Sequence, residues 1–234
     1  MARRARNALA TFAALLVLCG TGLADDTAAA RPADWPDSFV ARVEALALLQ
    51  TLNAELLSHD SATATLEQWC ESHRLASPPS IAAERVPGAQ QPPSEQQRRE
   101  LGVSATEPVR YRHVRLLCGA VLLSEADNWY VPGRLTPAMN RLLDSTDTPF
   151  GRAVQSLHFQ RHTISAQLLW LPLPAGWEMN PSALAGGGAG PLSVPAGVLQ
   201  HRAVLTLPDG TPISEVVETY SGNVLAFPLP RPGA

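Results

Sequence analysis

The chain has 234 residues, 45% hydrophobic and 17% charged, with a formal net charge of −3 at pH 7. That is enough for one sizeable domain, and the acidic balance argues against nucleic acid as a general partner. All 18 basic residues are arginine, so Schiff-base chemistry and a P-loop lysine are excluded.

The N-terminus carries Arg3, Arg4 and Arg6, then an apolar run from Ala8 to Leu18, then Gly22-Leu23-Ala24. This order predicts a secretory signal peptide over residues 1–24 and a periplasmic or secreted mature chain. The run is too short for a comfortable bilayer span, which needs roughly 20 apolar residues, so no stable membrane span is expected after cleavage. Cys70 and Cys118 survive cleavage, and the sequence leaves open whether they pair. A loose leader is expected over residues 25–36, one domain over 37–229, and a short tail over 230–234.

From Ser38, Phe39, Val43, Leu46, Leu49, Leu52 and Leu56 recur at steps of three and four, which predicts an amphipathic helix capped by Asp37 or Ser38. Asp60 and Ser61 offer the cap of a second helix carrying Leu66, Trp69 and Cys70. A proline-rich stretch follows and predicts a flexible loop near 77–98, with a short strand over 80–86 inside it. Val109 to Leu123 alternates as a strand, placing Tyr111, His113 and Arg115 on one face and Arg110, Arg112, Val114 and Leu116 on the other. Ser124 to Tyr130 reads as a polar turn, and Thr136 to Leu143 as helix. Gln155 to Leu171 resumes strand character. A Pro- and Gly-rich tract over 172–197, including Gly186-Gly187-Gly188, reads as an irregular, flexible insertion. Leu199–Leu207 and Ile213–Tyr220 flank Pro208-Asp209-Gly210 and predict a hairpin. Helices followed by hairpin-linked strands predict an α+β fold with an antiparallel sheet.

Few constellations carry chemistry. His158 and His162 are four apart, but Phe159 stands where a zinc-protease helix needs glutamate, so no metal site is expected. No G-x-S-x-G elbow is present. Arg110, Arg112 and Arg115 crowd one strand, and a guanidinium fork matches a carboxylate. Glu215 and Glu218 lie on opposite faces of the last strand, so at most one points into a given pocket, the other being an ordinary outward glutamate.

Four stretches together resemble one family, the chorismate pyruvate-lyases. Leu56-Leu57-Ser58-His59-Asp60-Ser61-Ala62-Thr63, with Leu66-Glu67 beyond, is similar to the family's L-L-x-x-D-S-x-T segment. Arg112 to Gly119 is similar to its R-E-[IV]-x-L-C-G strand, and Thr148-Pro149-Phe150-Gly151-Arg152 to its T-P-L-G-R turn. Arg202–Leu207 and Gly210–Glu218 resemble its last two strands. The resemblance implies an antiparallel sheet of about six strands with helices packed on one side and a ligand buried beneath helical flaps. It implies Glu218 and Arg112 as catalytic residues, and Ala62, Arg112, Arg115, Phe150 and Glu218 as substrate-binding residues, with Arg112 preferred to Arg115 as the anion clamp. It further implies elimination of pyruvate from chorismate, or a related enol ether, to give 4-hydroxybenzoate without a metal or organic cofactor. The alternative on the same fold is an exported, non-catalytic binder. Either way the expected partner is a small aromatic or cyclohexadiene carboxylate, and the expected state is a monomer. The sequence departs from the family pattern at Ala62, at Phe150, in the Pro212–Glu218 gap, in the 124–130 and 172–197 segments, and in the export signal.

Overall fold

The computed structural model describes residues 35–88, 90–180 and 190–228. The expected signal peptide, most of the leader, the tail and Gly186–Gly188 lie outside the described residues. Two helices lead, α1 (Phe39–Ser58) and α2 (Ala62–Ser72), followed by β1 (Ile81–Arg85), α3 (Glu95–Glu100), β2 (Arg110–Cys118) and β3 (Val121–Tyr130). Then come α4 (Pro137–Ser145), α5 (Phe150–Ala153), β4 (Gln160–Leu168), β5 (Gly197–Thr206) and β6 (Pro212–Ser221). The six strands form one antiparallel sheet in the order β1-β2-β3-β6-β5-β4. The fold is therefore α+β, as expected.

Ser38 caps α1 and Ser61 caps α2, each accepting from the backbone N–H three residues on. The buried line of α1 is Ala41, Ala45, Leu49, Leu52 and Leu56; Phe39, Val43 and Leu46, expected in that stripe, are only half-buried. Two alanines in the first half let the helix backbone sit close to the sheet, which turns the larger side chains to the rim. The main core forms where α1 and α2 cover the inner face of the sheet, around Leu66, Leu116, Ala126, Leu199 and Tyr220. Cys70 of α2 and Cys118 of β2 are joined as a disulfide, with Cα atoms 6.3 Å apart.

Four local expectations change. Ser124–Tyr130 is strand β3 and not a turn; the reversal comes earlier, at Gly119, whose φ of 58° suits glycine. A Cβ there would also lie 2.7 Å from Ala76 Cβ. The proline-rich loop ends in helix α3, fixed by a capping box in which Ser94 and Gln97 satisfy each other's backbone N–H. Trp35, expected in the loose leader, is buried and donates Nε1–H to Phe227 O at 2.8 Å. The 172–197 tract is anchored at both ends by buried Leu173 and Leu192.

The outer face of the sheet carries one short cover, α3. Leu101 beyond it packs with Trp129 and Val131. Beneath lies Glu215, expected to face outward into solvent but in fact fully buried. It accepts from Arg202 Nε at 2.8 Å, and Arg202 also pairs with Glu100 of α3. Burial pushes the Glu215 carboxyl above its ordinary range and Glu100 adds to this, against the opposing pull of Arg202.

Two predictions follow from these contacts. The raised Glu215 favours the folded state when protonated. Its contribution is full below the ordinary value of 4.5 and is lost as pH rises through the folded value. Glu215→Gln should therefore reduce the difference in Tm between pH 5 and pH 8, read from thermal melts across that range. The disulfide spans a sequence separation of 48, and closing such a loop is worth about 4 kcal/mol. Cys118→Ala should lower Tm by roughly 10 °C for a domain of this size.

Candidate functional site

A narrow cavity lies between the inner face of the sheet, the start of α2 and α5. Its floor is built by strand alternation. Val114 of β2, Ala126 of β3, Glu218 of β6 and His201 of β5 lie in one cross-strand row, and Arg112, Asn128, Val216 and Ala203 form the next. With strands about 4.8 Å apart and about 6.8 Å between same-face rows, the Cα atoms of Arg112 and Glu218 are roughly 12 Å apart. Ala126 sits between their strands and leaves the space open.

The walls explain two of the quoted motifs. Asp60 accepts from the backbone N–H of Arg161 at 2.8 Å, Ser61 caps α2, and Ala62 and Thr63 face the cavity. On the opposite side Pro149 starts α5 and Phe150 lines the cavity, with its ring 5.7 Å from that of Tyr130. A Cβ at Gly151 would sit 3.2 Å from Ser61 Oγ and 3.3 Å from Thr63 Oγ1, so any larger residue there would press on these two hydroxyls. Arg152 then ties the two helices together through Glu67 at 2.7 Å.

Four of the sequence-derived site residues, Ala62, Arg112, Phe150 and Glu218, line this one cavity. Arg115 does not. It lies on the outer face, bound to Glu125 at 3.0 Å, because a residue three positions from Arg112 on a strand points the other way. Arg110 is also excluded from the cavity and binds Asp144 at 2.7 Å.

Arg112 is only 7% exposed. It donates to the carbonyls of Thr148 at 3.1 Å and Thr146 at 3.4 Å, and its Nε–H has no partner. Among the described residues it has no carboxylate within ion-pair distance. Burial pulls its pKa down, with repulsion from Arg85 adding to the effect. A guanidinium held by two carbonyls and lacking a counter-ion is prepared for an anion.

Glu218 is differently placed. Its Oε2 accepts from Arg161 Nη2 at 2.5 Å and from Tyr220 OH at 3.0 Å, and all three side chains are buried. Burial opposes the Arg161 charge, but Glu218, together with Tyr220 and Asp60, more than offsets it, so its pKa is raised. Burial also raises Tyr220 well above the ordinary phenol range, which keeps it a donor. Behind this pair the His201 ring is pulled down to about 4, first by burial and then by Arg161. It is neutral at physiological pH and contacts Asn53 Oδ1 of α1 through Nε2 at 2.8 Å.

Sequence reasoning missed Arg161, Tyr220 and His201. The available signal was an arginine within a predicted strand that leads into the final hairpin. His158 and His162 do not converge: His158 ends a short turn at φ 49°, and His162 contacts Thr206 Oγ1 at 3.0 Å. No group of metal-holding side chains occurs among the described residues, and no helix there is long and apolar enough to cross a membrane.

No family model matches the chain. Among solved structures it is similar to PhnF from Mycobacterium smegmatis, at 16% identity and TM-score 0.48, covering 76% of this chain and 71% of that one. The effector domain of the same protein matches at 14% identity and TM-score 0.46, covering 70% of this chain and 90% of that one. The ligand-binding domain of a putative GntR-family transcriptional regulator from Bordetella bronchiseptica matches at 15% identity and TM-score 0.38, over 60% and 82% of the two chains. These are similarities of shape; the last of the three, and further proteins of similar shape, are described as transcriptional regulators or parts of them. The expectation that excluded nucleic acid as a partner is corrected on that finding. In sequence, an uncharacterized protein, y4mC of Sinorhizobium fredii (strain NBRC 101917 / NGR234), is 57% identical over 197 residues, covering 84% of this chain and 83% of its own. The chain belongs to the family of y4mC.

Proposed function

We propose that this protein binds a small carboxylate-bearing molecule in the cavity between α2, α5 and the sheet. The observation that carries the reading is Arg112: buried, fixed by two backbone carbonyls, and without a carboxylate partner among the described residues. A ligand carboxylate supplies the missing charge and accepts from the guanidinium. Glu218 stands two strands away in the adjacent row of the floor, and accepts a hydroxyl or similar donor from the far end of the ligand. Phe150 supplies an apolar wall and Val114 an apolar floor for the ring between.

Binding without turnover is the favoured form. Glu218 Oε2 already accepts from both Arg161 and Tyr220, an arrangement suited to holding an acceptor in place. Elimination of pyruvate from chorismate is a second reading, supported by the meeting of Arg112, Phe150 and Glu218 in one cavity. We further propose export, on the N-terminal Arg3–Ala24 pattern, and the Cys70–Cys118 disulfide supports an oxidising compartment.

Calorimetry with 4-hydroxybenzoate tests the site. The wild type is expected to bind, and Arg112→Ala is expected to cost about 2 kcal/mol, or roughly 30-fold in Kd. Absence of wild-type binding would overturn both readings. Incubation with chorismate distinguishes them: no pyruvate is expected, whereas release that disappears in Glu218→Ala replaces the binder with a lyase.

A further inference from the structure

Outside the cavity, the start of β2 extends beyond the end of β1, and two adjoining hollows of about 350 and 680 Å³ open there. They share Gln90, Tyr111, Tyr130 and Asp144. Four arginines line them: Arg85 and Arg112 in the first, Arg98 and Arg110 in the second. Asp144 is the one carboxylate lining either hollow among the described residues, and Arg110 takes both its oxygens, at 2.7 and 3.0 Å.

The other three arginines are held in place without being neutralised. Arg85 donates to the carbonyl of Asp144, Arg98 to those of Ser104 at 2.8 Å and Glu107 at 3.2 Å, and Arg112 to those of Thr146 and Thr148. None has a carboxylate within 4.0 Å among the described residues. Capping the end of α4 accounts for one donor of Arg85 and one of Arg112, and the Thr148 carbonyl in the following loop takes another of Arg112. These contacts do not account for three uncompensated charges around one groove in a chain of net charge −3. A concave surface of one sign concentrates the opposite ion. Guanidinium forks already fixed by carbonyls lose little side-chain freedom on binding it.

We propose that this groove is a second ligand site that takes a compact multivalent anion, such as a small molecule bearing phosphate groups or several carboxylates. Arg112 lines both the groove and the inner cavity, so an anion in the groove draws on the charge that the inner ligand needs. The two sites are therefore negatively coupled, and the coupling is reciprocal. The groove rests on its own geometry; only the coupling rests on the function proposed above.

The test uses the mature chain with inorganic pyrophosphate and citrate as separate probes, followed by calorimetry at two salt concentrations. Binding of at least one probe is expected, weakened at higher salt and reduced at least tenfold in Arg85→Ala/Arg98→Ala. Arg85→Gln, which keeps a donor for the Asp144 carbonyl, controls for folding and should still weaken binding several-fold. Preference for pyrophosphate or for citrate identifies the anion class. No binding of either probe, or equal binding by the double variant, would overturn the groove. In wild type the bound probe should weaken 4-hydroxybenzoate several-fold, and this effect should vanish in the double variant. Unchanged 4-hydroxybenzoate affinity with the probe bound would overturn the coupling and leave the groove standing. Failure of 4-hydroxybenzoate to bind at all counts against the inner cavity alone.

Discussion

A carboxylate buried in the middle of a sheet must be paired, and the pairing of Glu218 with Arg161 organises the inner half of this molecule. Arg161 is brought into position by the β4–β5–β6 order and by Asp60, which accepts from its backbone N–H. The same Asp60 immediately precedes the cap of α2, so one short segment sets both the ion pair and the helix that roofs it. Tyr220 and His201 complete the surroundings, one as a donor and the other as a neutral ring on which burial, and then the Arg161 charge, keep the proton affinity low. Removing either member of the pair would leave the other as an uncompensated buried charge, with a cost of several kcal/mol.

Arg112 presents the opposite electrostatic situation within the same cavity. It is satisfied by carbonyls and carries a charge that no carboxylate among the described residues answers. One end of the cavity is thus neutral overall and rigid, while the other is cationic and incomplete. This asymmetry gives the site a direction, and an occupant with one anionic end and one donor end can enter it in only one orientation.

Much of the fold was legible because it follows from period and turn chemistry. Serine caps, the Pro-Asp-Gly hairpin and strand alternation around Arg112 all act over a few residues. Glu218 and Phe150 were found through resemblance, and alternation separated Arg112 from Arg115. The rest depended on packing between distant segments. Glu215 and Glu218 both lie on β6, and nothing local says that α3 will bury the first or that β4 will supply a cation for the second. The strand β3 was hidden because its polar residues, Ser124, Asn128 and the outward Glu125 and Asp127, serve both faces of the sheet and imitate a turn. The rotation of α1 was hidden because small residues, where a helix approaches closely, carry little hydrophobic signal.

The cation that neutralises Glu218 sits on an edge strand. β4 has a neighbour on one side only, and most of its residues are exposed. Edge strands fray more readily than central ones, since fewer backbone bonds hold them. Any peeling of β4 from β5 must therefore pull Arg161 off Glu218 and admit water to both. The electrostatic attachment stiffens a margin that hydrogen bonding alone would leave loose. Conversely, whatever pairs with or shields that margin also governs how firmly the floor of the cavity is held.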